Sequence, residues 1–107
     1  MTIPEKVKLN GVVYDIVWKD DLINEDKERL DGRINYSDNI IELNKCTQSY
    51  QGACRTLLHE FVHFIIEEHD IGQDVERIPQ DEEALCELFS RSLYQIFEDN
   101  PLYRGQE

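Results

Sequence analysis

Apolar and polar positions alternate over residues 7–9 and 12–18, and these two runs flank Asn10-Gly11. Period-two alternation marks half-buried strands, and Asn-Gly between two such runs signals a two-residue turn, so this stretch predicts a hairpin. A second pair of strand-like runs, Gly32-Arg33-Ile34-Asn35-Tyr36 and Ile40-Ile41-Glu42-Leu43, is separated by the turn formers Ser37-Asp38-Asn39 and predicts a second hairpin. Between the hairpins, residues 19–31 are dominated by charge, with Leu22, Ile23 and Leu30 as apolar anchors, which implies a surface connection or a short helix.

Beyond residue 46 the spacing changes from two to the helical period. Thr47 or Ser49 is an N-cap, Ala53, Leu57, Leu58, Phe61, Val62, Phe64, Ile65 and Ile66 are the apolar positions, and the helix runs to about His69 with Gly72 as a stop signal. A helix apolar on most sides must pack under the sheet, with a single stripe open. After a loop over 71–80, the positions Leu85, Leu88, Phe89, Leu93, Ile96 and Phe97 predict a last helix over 81–99. Asn100-Pro101 ends that helix, and 102–107 form a frayed tail. The order β-β-β-β-α-α in 107 residues describes one α+β domain. It has a β-rich part (1–46) forming a small twisted sheet of about four strands, a first helix (47–70) and a closing helix (80–99).

The open stripe of the first helix carries the chemistry. His59, Glu60 and His63 form H-E-x-x-H, the zinc-hydrolase pattern. On a helix, residues four apart share a face, so His59 and His63 can reach one ion, while Glu60 sits about 100° round and can touch the water that ion binds. An apolar helix seldom carries two histidines and a glutamate unless they are paired or ligated, because burying them unsatisfied costs several kcal/mol. The alternative is a pair of hydrogen-bonded core histidines. A catalytic site needs a third protein ligand. His69 lies about 240° round the helix from His63 and reads instead as a C-terminal residue facing the helix dipole. The closing helix offers Glu82, Glu83 and Glu87, which would complete a His2Glu set suited to one Zn²⁺ ion. The same glutamates also suit the acidic first turn of an ordinary helix.

Charge and cysteine content narrow the function classes. A net charge of −12 repels phosphate backbones and anionic lipid, which argues against direct nucleic-acid or membrane binding, whereas a basic protein partner or substrate would be steered in. Cys46, Cys54 and Cys86 are an odd number without a C-x-x-C pair, so neither a disulfide framework nor a cysteine zinc site is implied, and they read as buried or half-buried small hydrophobes. No run reaches a spanning length and residues 1–6 lack a signal-peptide apolar core, so the expected compartment is the cytoplasm.

Taken together, Gly32 to Tyr36, Leu57-Leu58-His59-Glu60-Phe61-Val62-His63, Glu83 to Tyr94 and Leu93 to Pro101 resemble the gluzincin metallopeptidases. The resemblance is to the small phage-type members of the ImmA/IrrE-like family in particular. It implies a minimal zincin-like domain and a third ligand on the closing helix. Laying the family pattern E-x-x-A-N-x-F-A-x-x-L on Glu83 puts Cys86 and Ser90 at its small positions and Phe89 and Leu93 at its apolar ones. Glu83 is then the ligand. Glu87 falls where the family has Asn or an outer Asp, and is the alternative ligand or the acceptor of an imidazole N–H, with Glu82 behind it.

The resemblance further implies that Glu60 is the general base, that Tyr94 or Tyr36 stabilises the transition state, and that Arg33, Ile34, Asn35 and Tyr36 form an edge strand on which a peptide docks. The implied activity is limited proteolysis of a regulatory protein, such as a phage or mobile-element repressor. The alternative is a non-catalytic, metal-stabilised antagonist of a protein partner, although a structural metal site needs no general base.

Overall fold

The computed structural model describes residues 2–69 and 82–102, for Glu82 and Glu83 the backbone alone. The elements are β1 (Lys6–Leu9), β2 (Val12–Lys19), β3 (Gly32–Asn35), β4 (Ile40–Asn44), α1 (Tyr50–Glu68) and α2 (Glu82–Asp99), an α+β domain with a four-stranded mixed sheet and two helices. Both hairpins form as the alternation predicts. In the first, Asn10 and Gly11 take φ of 50° and 81°, the left-handed pair that a tight turn between right-twisted strands requires. The anticipated loop over 71–80, the Gly72 stop signal and residues 103–107 lie outside the described residues.

The strand order is β1-β2-β4-β3, with β2 parallel to β4 and the other pairs antiparallel. Composition explains why β4 is inside and β3 at the edge. Ile41 and Leu43 of β4 are wholly buried, whereas Gly32-Arg33-Ile34-Asn35 offers one apolar side chain and cannot fill a central position. Period-two alternation puts Val7, Leu9, Tyr14, Ile16, Ile34, Ile41 and Leu43 on one face, where Leu57, Phe61, Phe64 and Ile65 of α1 and Ile96 of α2 close the core. The opposite face is charged and cross-linked: Arg33 reaches Glu42 at 2.9 Å, and Lys19 and Lys6 lie 3.8 Å from Glu42 and Asp15.

Of the two readings for 19–31, the structure takes the surface connection. Asn24 Oδ1 accepts from the N–H groups of Asp26 and Glu28 at 2.9 Å, a turn of the kind Asn favours, and Leu22 anchors the segment in the interior. Two other expectations are corrected. Leu102 is not part of a frayed tail: it is 1% exposed and its carbonyl accepts from Thr2 N–H at 2.7 Å. Just before it, buried Asn100 pairs with the outer edge of β1, donating from Nδ2 to Lys8 O at 2.9 Å and accepting at Oδ1 from Lys8 N–H at 2.7 Å. The side chain thus does what a neighbouring strand would do, and it covers an open edge. Cys46 and Cys86 are exposed rather than buried, because each falls on an outward position, and Cys54 is half-buried.

Candidate metal centre

The geometry of the site begins with the seating of α1. Ser49 caps the helix, its hydroxyl accepting from Gly52 N–H at 3.1 Å. Gln48 ties that start to the sheet, donating to Asp31 O at 2.9 Å and Asn44 O at 2.8 Å and accepting from the Thr56 hydroxyl at 2.6 Å. Thr47 adds a hydrogen bond to Asp31 Oδ1 at 2.7 Å. Gly32 then lets β3 and α1 approach: a Cβ there would stand 2.5 Å from Thr56 Cγ2 and 3.2 Å from Glu42 O.

This approach aims the free edge of β3 at the helix. Asn44 N–H donates to Asp31 O at 2.8 Å, so odd-numbered residues from Asp31 bond to β4, and the backbone groups of Gly32 and Ile34 turn outward. The Ile34 N–H lies near enough to the Glu60 carboxylate to favour its ionised form. An open cleft of about 870 Å³ runs along this edge, with Gly32 and Ile34 on one side and Arg55, His59, Glu60 and His63 on the other.

His59 and His63 are exposed, with Nε2 atoms 3.0 Å apart and rings at 77°. A tetrahedral ion with Zn–N bonds of about 2.0–2.1 Å would hold two nitrogens about 3.3–3.4 Å apart, so the rings need to open by only a few tenths of an ångström. Without an ion, one ring can donate to the other. Solvent-facing imidazoles have water for that purpose, so the convergence of two lone-pair positions fits a shared cation better than a buried histidine pair. Glu60 is 6% exposed, and burial raises its carboxyl above the usual range, opposed by the fields of His63 and His59 and by the Ile34 N–H. The ligand atoms of His59, Glu60 and His63 all lie within 4.8 Å of one another, and among the described residues this is the group that can hold a metal ion.

The remaining candidates are placed unequally. Tyr36 follows β3 directly and is 39% exposed. Its phenol is pushed up to about 12, first by burial and then by the negative fields of Glu67, Tyr14 and Glu60, so it remains a neutral donor within the field of Glu60. The structure does not bring Tyr94 to the cleft. Its ring is 65% exposed and its hydroxyl donates to Glu98 Oε1 at 2.6 Å on its own helix. Glu87 is exposed, lies 3.6 Å from Arg91, and stands outside the metal-capable group. Glu82 and Glu83 lie in the first turn of α2, and their side chains fall outside the described residues. Arg33 and Asn35 face β4 with their backbones, so of the expected docking strand Ile34 turns its backbone outward, and Gly32, which precedes that strand, does the same.

Sequence reasoning missed the roles of Gln48, Thr56 and Asn100, because the contacts that give them meaning, Gln48 with Asp31, Thr56 with Gly32 and Asn100 with Lys8, join segments far apart along the chain. Among the described residues no helix is long and apolar enough to cross a membrane. The chain matches no protein-family model, no curated protein and no solved structure.

Proposed function

We propose that the protein is a zinc-dependent peptidase that cuts a protein substrate presented as an extended strand along β3. The observation that carries this reading is the pair of imidazole Nε2 atoms 3.0 Å apart on the floor of an open cleft, beside a buried carboxylate and beneath a free strand edge. His59 and His63 would hold the ion with a glutamate of α2, Glu83 by family resemblance. A zinc ion held by these residues would supply Lewis acidity, lowering the pKa of a bound water and polarising a carbonyl.

The chain's own groups do the rest. Glu60, made more basic by burial while the fields of His63 and His59 and the Ile34 N–H favour its ionised form, takes the proton of the attacking water and passes it to the leaving amine. Gly32 N–H and C=O and the Ile34 C=O offer backbone partners that align the substrate and exclude solvent from one side. Tyr36, neutral at working pH, is the hydroxyl nearest in character to an oxyanion donor. A regulatory protein such as a phage or mobile-element repressor, cut once rather than digested, is the substrate that the family resemblance suggests.

Metal analysis of the purified protein followed by comparison of wild type with Glu60→Gln tests the proposal. Zinc near one equivalent in both proteins, with hydrolysis of a denatured-protein substrate by wild type and a loss of at least about 100-fold in the variant, is the expected result. Antagonism of a protein partner that survives Glu60→Gln unchanged would instead establish the metal-stabilised binding protein.

A further inference from the structure

One charge in the cleft is not used by hydrolysis. Arg55 lies one turn before His59 on the open stripe of α1 and lines the cleft beside Thr56. The other arginines of the described residues are held by carboxylates, Arg29 by Asp21, Arg33 by Glu42 and Arg91 by Glu87. Arg55 is exposed and its guanidinium makes no hydrogen bond or ion pair among the described residues. That is unexpected in a chain with 23 acidic and 11 basic residues. Of the nearby carboxylates, Asp31 accepts from the Thr47 hydroxyl, and Glu60 is buried in the fields of His63 and His59. The first turn of α1 carries no acidic residue, so the positive end of the helix dipole adds to the same local potential.

Geometry says which part of a bound peptide would meet this charge. Gly32 stands against Thr56 and Ile34 against Glu60, so β3 and α1 advance together: two strand residues cover about 6.6–6.8 Å and four helix residues about 6 Å. A peptide strand paired with β3, its reacting carbonyl over Glu60, has the residue two positions away opposite Gly32. Side chains of opposite residues project to the same face, and here that face is α1 at Thr56 and its neighbour Arg55. We propose that Arg55 forms a specificity subsite that selects an Asp or Glu side chain two residues from the scissile bond. The inference rests on the peptidase reading, and it distinguishes the cleft from the acidic surface around it, which favours basic partners at long range.

The test uses fluorescein-labelled ten-residue peptide pools with Glu, Gln or Lys fixed at one central position and uncharged residues elsewhere. Cleavage is followed with zinc-loaded wild type, and equilibrium binding by anisotropy with zinc-loaded Glu60→Gln, which leaves the peptides intact. Wild type should cleave the Glu pool about 10-fold faster than the Gln pool, with the fixed Glu two residues from the cut, and Glu60→Gln should bind it about 10-fold tighter. In the Arg55→Gln background both ratios should fall to about 1. Arg55→Lys should keep most of the preference, and Arg55→Glu should turn it toward the Lys pool. Ratios near 1 before Arg55 is changed, or ratios untouched by Arg55→Gln, overturn the subsite. Selective binding without cleavage by wild type removes the peptidase reading and leaves the anion subsite standing, whereas cleavage without selectivity does the reverse.

Discussion

Substituting Gly32 by Ala probes the contact on which the site geometry depends. The added methyl would lie 2.5 Å from Thr56 Cγ2, a β-branched side chain on a helix with little rotamer freedom, and 3.2 Å from Glu42 O, a backbone atom of the central strand. Neither can swing aside, so β3 or α1 must move. Gly32 is not among the residues with positive φ, so alanine gains about 0.4–1 kcal/mol from the reduced freedom of the unfolded chain. Overpacking of this kind costs about 1–3 kcal/mol, so a net loss of about 1–2 kcal/mol is expected. For a domain of this size that corresponds to a fall in Tm of about 4–10 °C.

Thermal unfolding of four proteins isolates the contact: wild type, Gly32→Ala, Thr56→Ser and the double variant. Serine keeps the hydroxyl that donates to Gln48 at 2.6 Å and removes only the clashing methyl, so the double variant should recover about 1 kcal/mol or more through the coupling term. Because the same movement draws Ile34 away from Glu60, the single alanine variant should also lose peptide affinity. A Gly32→Ala protein as stable as wild type, or a double variant in which the two effects simply add, would refute the close approach.

Other consequences can be measured separately. Zinc at about 100 times its Kd should stabilise wild type by about 2.7 kcal/mol in thermal unfolding; His59→Ala and His63→Ala should abolish the shift, and Glu83→Gln should reduce it more than Glu87→Gln. The reverse order would move the third ligand to Glu87. Asn100→Ala deprives Lys8 of both its backbone partners and leaves Ile96 O without Asn100 Nδ2, so urea denaturation should show a loss of about 2–3 kcal/mol, and a change below about 0.5 kcal/mol would contradict the strand-edge role. In metal-free protein, the difference in absorbance at high pH between wild type and Tyr36→Phe should report a phenol titrating near about 12. Its folded value lies above the unfolded one of about 10, so the associated stability is fully present below pH 10 and is lost as pH rises through about 12; titration near 10 would show that Tyr36 is open to water.

What local chemistry dictates was legible without coordinates. Asn10-Gly11, the alternation of Val7 to Trp18, Ser49 before a helical run, and Asn100-Pro101 each act within a few residues. Accordingly the strands and helices fall within a residue or two of where these signals put them. The one-turn spacing of His59 and His63 is likewise a property of a single helix, which is why their convergence could be read from the chain. What lies between distant segments could not be read in this way. The placement of β4 inside β3 reflects competition for burial between two strands, and it decides that the free edge carries Gly32 and Ile34. The absence of a side chain at Gly32 gains meaning only once Thr56 is opposite it. The same is true of Asn100, which reads as a helix stop along the chain and acts in space as a substitute strand for β1. Arg55 differs in one respect: the sequence supplies its charge, but only folding determines that no carboxylate among the described residues pairs with it, because pairing depends on neighbours that the chain brings together from far apart.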